Sequence, residues 1–145
     1  VAAANPAEPL ACAYMLGAKG VSRCGALAVH APLRYLFLLD EVYAMVSLSS
    51  KRSLGGAGGD AAARAMSQLF KAGVPVMLCT EDPAVSHWGD DPLGAEYAIA
   101  RHTAGLAPAD LAELGRNSRA AADWGAGRGA LAEEGAGEKT GRSVR

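Results

Sequence analysis

At 145 residues, half of them apolar and a fifth charged, the chain is long enough for one packed core and carries nothing that suggests a second. A formal net charge of -1 with a pI near 6.3 leaves no basic field to draw in nucleic acid or anionic lipid. Three cysteines, Cys12, Cys24 and Cys79, form no CxxC pair, which argues against a disulfide framework and fits a reducing, cytoplasmic setting; the apolar runs are too short to span a membrane.

The first residue is Val1, as processing or a fragment of a longer protein would leave it. Residues 9–19 place Leu10, Tyr14 and the neighbourhood of Ala13, Leu16 and Gly17 at helical spacing, and predict a helix closed by Gly20. Residues 21–27 read as a short strand. Residues 31–43 predict a stronger helix with Leu33, Leu36, Phe37 and Leu39 toward a core, and 45–48 a buried strand that ends in the polar cluster Ser49, Ser50, Lys51, Arg52 and Ser53. A glycine-rich loop over 54–60 follows, with Asp60 placed to cap a helix over 61–71 whose apolar face is Met66, Leu69 and Phe70.

After the turn Ala72-Gly73, residues 74–79 form the apolar run expected of a strand buried on both faces. The run stops at Thr80-Glu81-Asp82-Pro83, where Pro83 bars further regular pairing. Two carboxylates at the carboxyl end of a strand stand where parallel sheets place their chemistry. A polar loop with His87 and Trp88 leads to a helix from Pro92, with Leu93, Tyr97 and Ala100 on one face. A last helix starts at Pro108 and carries Asp110, Leu111, Leu114 and the cluster Arg116-Asn117-Ser118. Residues 125–145 hold much glycine and charge and read as a disordered tail behind a domain over 1–124. The alternation of helix and strand describes repeated βα units, hence an α/β fold with a parallel sheet. Three strands alone leave two edges exposed, which invites self-association through them.

At Cys79-Thr80-Glu81-Asp82-Pro83 the chain resembles the adenosine/AMP deaminase family, and more closely its AMP deaminase branch, whose hallmark is a strand ending in S-T-D-D-P. The likeness continues through His87, through DPLGAEYAIA from Asp91 to Ala100, and through DLAELGRNS from Asp110 to Ser118. Upstream, residues 33–54 are similar without a gap to the family's L-Q-Y-L-Y-Y-L-x-x-x-x-L-A-M-S-P-L-S-N-N-S-L. The resemblance implies three carboxyl-terminal βα units of a (β/α)8 barrel, in a hydrolase whose zinc-activated water attacks the purine C6 of AMP, yielding IMP and ammonia.

Residue by residue, the resemblance puts Glu81 at the zinc-binding Asp of the family, one methylene longer. Asp82 falls at the substrate-contacting Asp, with Pro83, Ala84 and Val85 completing the substrate segment. Arg23 falls at the position of the family's proton-accepting His, and a guanidinium is not deprotonated near neutral pH. Ser50, Lys51 and Arg52 fall on the S-N-N motif, where Lys51 and Arg52 read as solvated loop or as phosphate contacts. The H-x-H zinc pair, the third metal His and the glutamate beside it have no match. With Glu81 as its one zinc-ligand position, the chain is expected neither to hold zinc nor to deaminate AMP by itself. The alternative is a non-catalytic remnant that binds a nucleotide or a partner protein. His30 and His102 lack a neighbouring ligand and read as surface residues, His87 reads as a loop residue near the substrate, and the cysteines read as small hydrophobes.

Overall fold

The computed structural model describes residues 5–50, 58–87 and 89–122. In chain order these form α1 (Glu8–Met15), β1 (Gly20–Val21), a 3-10 turn (Cys24–Ala28), α2 (Ala31–Leu39), β2 (Tyr43–Val46), α3 (Gly58–Lys71), β3 (Val76–Leu78), the short α4 (Pro83–Ser86), α5 (Pro92–Ala104) and α6 (Pro108–Ala121). The strands make one parallel sheet in the order β1-β2-β3, with Val21 opposite Ala44 and Ala44 opposite Val76. The predicted α/β alternation is therefore present. Lys51, Arg52, most of the glycine-rich loop, Trp88 and the predicted tail lie outside the described residues.

Three helices feed the sheet through the same junction. At the ends of α1, α2 and α3 a residue with positive φ follows the cap: Gly17 at 74°, Glu41 at 50° and Gly73 at 82°. The next amide then reaches back to the helix, Ala18 N to Ala13 O at 3.0 Å, Val42 N to Phe37 O at 2.9 Å and Val74 N to Leu69 O at 3.1 Å. These are Schellman turns, which satisfy the last free carbonyls and throw the chain into a strand within two or three residues. They correct several expected boundaries. Gly17, not Gly20, closes α1, and Gly20 belongs to β1. The helix expected to reach Tyr43 stops at Leu39 because Glu41 takes the left-handed position, and β2 accordingly starts at Tyr43. The strand expected over 21–27 ends at Val21, since Arg23 is left-handed at φ 53° and the chain coils into the 3-10 turn. Asp60 lies in the first turn of α3, which already begins at Gly58, and does not cap it.

Strand register divides the sheet into two faces. Val21, Ala44, Val76 and Leu78 are buried on one, while Tyr43, Met45 and Met77 on the other are half-buried. The core contains Leu27, Leu33, Phe37, Met66, Leu69 and Leu114, each worth roughly 1.5–3 kcal/mol on burial. Leu36 and Leu39, expected inward, are exposed, because the inward stripe of α2 is only Leu33 and Phe37. At the outer edge of β3, Asn117 of α6 donates Nδ2–H to the Val76 carbonyl at 2.9 Å. That carbonyl points away from β2, which bonds instead to Pro75 and Cys79. Ser118, beside Asn117, donates to Leu114 O in its own helix at 3.0 Å.

Candidate active site

The carboxyl ends of the three strands bring together residues that the sequence places far apart. Arg23 follows β1 on its left-handed turn, is exposed, and makes no hydrogen bond or ion pair among the described residues. Ser47 to Ser50 follow β2 and are all buried. Glu81 follows β3, half-buried, and accepts a hydrogen bond at Oε2 from the Ser50 hydroxyl at 3.3 Å. Arg23, Ser47 and Glu81 line one cavity of about 410 Å³, whose other walls are apolar. Asp82 has φ 49°, stands at the cap of α4 without a side-chain hydrogen bond, and is exposed with Pro83, Ala84 and Val85. Of the residues assigned by resemblance, the cavity thus gathers Arg23 and Glu81; Asp82 to Val85 do not line it.

The residue that organises this end of the sheet has no role assigned to it by motif or resemblance. Glu96 of α5 is fully buried and accepts hydrogen bonds from Ser47 Oγ at 3.0 Å, Leu48 N at 2.7 Å, Ser49 N at 3.3 Å and the Ser49 hydroxyl. Its satisfied lone pairs make burial of the carboxylate tolerable. The signal was a carboxylate between Leu93 and Ala100 at helical spacing, on the face read as apolar. Leu93 of that face is in fact exposed.

His87 completes the cluster, with Nε2 2.8 Å from Ser49 Oγ and 3.4 Å from Glu96 Oε1. Serine, histidine and glutamate are the residue types of a nucleophilic triad, but the arrangement is wrong for one. A serine nucleophile gives its proton to the imidazole. Here the Ser49 hydroxyl donates to Glu96, and the amides of Leu48 and Ser49 that would hold an oxyanion are already taken by Glu96. The cluster is a latch between β2, the loop after β3 and α5. His30, read as a surface residue, caps α2 by accepting from Leu33 N at 3.3 Å.

Two thiols lie beneath the site. Burial pushes Cys24 up to about 11, and burial together with the charges of Glu81 and Glu96 pushes Cys79 up to about 11. Cys12, expected to pack as a small hydrophobe, is exposed. Zinc requires three or four donors. The described residues contain no group of three His, Cys, Asp or Glu able to hold a metal ion, and the one carboxylate at issue shares its cavity with a guanidinium.

The family model for AMP deaminase matches residues 2–128. The chain belongs to the AMP deaminase family. AMP deaminase of Saccharomyces cerevisiae is 34% identical over 122 residues, which are 83% of this chain and 14% of the yeast protein. AMP deaminase of Schizosaccharomyces pombe is 34% identical over 116 residues, 79% of this chain and 13% of that protein. AMP deaminase 1 of Homo sapiens is 34% identical over 86 residues, 59% of this chain and 11% of the human protein. The chain therefore spans about a seventh of the length of the two yeast AMP deaminases. No helix among the described residues is long and apolar enough to cross a membrane.

Proposed function

We propose that this chain supplies three consecutive βα units to the mouth of an AMP deaminase-type (β/α)8 barrel, in a cytoplasmic purine hydrolase. The observation that carries this reading is the convergence of Arg23, Ser47 and Glu81, from the turns after β1, β2 and β3, on one cavity at the carboxyl ends of parallel strands. The reaction is the hydrolysis of AMP to IMP and ammonia: water oxygen bonds to the purine C6, and the C6 amino group leaves with the transferred protons. In this scheme Asp82 to Val85 border the substrate. Glu81 occupies a metal-ligand position whose other ligands this chain does not contribute, and Arg23 cannot accept the proton of the attacking water.

The chain by itself is accordingly inert. Incubation of the purified 145-residue protein with AMP and zinc should release no ammonia above the blank, and zinc-dependent release that is lost on Glu81→Ala would overturn the proposal. A second reading, a non-catalytic unit that binds a nucleotide or associates through its strand edges, is favoured by β1, which ends the three-strand order and pairs with β2 alone among the described residues. It predicts a dimer or larger species in sedimentation. A monomer without affinity for AMP removes it.

A further inference from the structure

The segment from Asp82 to Val85 leaves the sheet beside Glu81, the carboxylate that lines the cavity. It turns through Asp82 at φ 49° and forms α4, in which Pro83, Ala84 and Val85 are exposed. The backbone hydrogen bonds of α4 close on itself, from Val85 N to Asp82 O at 2.9 Å and from His87 N to Pro83 O at 3.1 Å. Among the described residues no side chain of Asp82 to Val85 bonds to another element. A helix of one turn is too short to hold its own place.

The tie comes at the next step of the chain. His87 follows α4 with its side chain only 5% exposed, and its Nε2 lies 2.8 Å from Ser49 Oγ and 3.4 Å from Glu96 Oε1. Both partners are themselves fixed, because buried Glu96 accepts from Ser47 Oγ, the Ser49 hydroxyl and the amides of Leu48 and Ser49. Entry to α4 is thus set by β3 and its exit by this buried frame. We propose that His87 is a positioning residue for Asp82 to Val85: through Ser49 and Glu96 it sets where that segment stands beside the cavity, and it takes no part in the chemistry itself. The role rests on the deaminase reading only in what the segment borders; the hold on the segment does not.

The test compares the full chain with His87→Leu, His87→Gln and Ser49→Ala by amide chemical shifts and hydrogen exchange. In His87→Leu the resonances of Asp82, Ala84 and Val85 should move, and exchange at Val85 should quicken about tenfold. The amides of Val74 and Cys79, bonded to Leu69 O and Val46 O, should keep their rates. His87→Gln, whose side-chain amide offers a nitrogen in place of Nε2, should restore both the resonances and the exchange. Ser49→Ala leaves Glu96 its bonds from Ser47 Oγ and from the Leu48 and Ser49 amides, and should move the same resonances in the same direction; it reads the tie even where His87→Leu does not fold. Unchanged resonances from Asp82 to Val85 in the folded variants overturn the proposal. Equal quickening at Val74, Cys79 and Val85 also overturns it, since that marks a general stabiliser, and so does His87→Gln behaving as His87→Leu. Ammonia release enters none of these readouts, so a failed deaminase reading and a failed positioning role are seen separately.

Discussion

Arg23 is held at φ 53° and ψ 34°, where an L side chain other than Asn or Asp is under steric strain. Arg23→Gly should therefore raise unfolding stability by about 1 kcal/mol, read as a higher melting temperature, while removing the guanidinium from the cavity. Glu96 behaves in the reverse sense. Glu96→Ala strands the Ser47 and Ser49 hydroxyls and the Leu48 and Ser49 amides inside the protein, and should cost about 3 kcal/mol or more in urea unfolding. Glu96→Gln keeps an acceptor and should lose less. The sequence marks Arg23 by its mismatch to a motif and Glu96 only as a carboxylate on a face read as apolar, since its four donors lie 47 to 49 residues away.

The helices that lead into the strands owe their lengths to a shared terminator more than to their apolar periodicity. Gly73 is legible as a turn from its identity and Gly20 reads as the stop that Gly17 supplies, whereas Glu41 performs the same turn without the residue that advertises it. For that reason the α2 boundary was not legible. On α2, Tyr35 and Leu39 are 59% and 58% exposed, and Leu33 and Phe37 are buried. Leu39→Lys should change unfolding free energy by less than about 0.5 kcal/mol, while Leu33→Lys should unfold the domain, as circular dichroism melts will show. The α6 helix has a different task, since Asn117 takes the hydrogen bond that another strand would give Val76. Asn117→Leu should lower stability by about 1–2 kcal/mol and increase self-association at the edge of β3, measured by sedimentation.

Across the whole molecule, the raised Cys24 and Cys79 thiols link stability to alkaline pH. In the folded state both keep their protons up to about 11, against an ordinary thiol value of 9.0. Between these values the native state binds more protons than the unfolded one, so stability falls as pH rises from about 9 to 11 and is unaffected by these groups below that window. A Cys24→Ala, Cys79→Ala double variant should lose this alkaline slope, and exposed Cys12 should be the first thiol alkylated near neutral pH. From the residues alone came the α/β class, the three strands, the helices after Pro92 and Pro108, and the resemblance that the match over residues 2–128 places in the AMP deaminase family. These are local properties, carried by period, turn chemistry and contiguous motifs. The tertiary structure alone decided that Arg23 and Glu81 share a cavity, that a buried Glu96 latches the end of β2, and that one face of the sheet remains half-buried. Each depends on which side chains strand register and helix packing bring within a few ångströms, a relation between distant residues that no local pattern encodes.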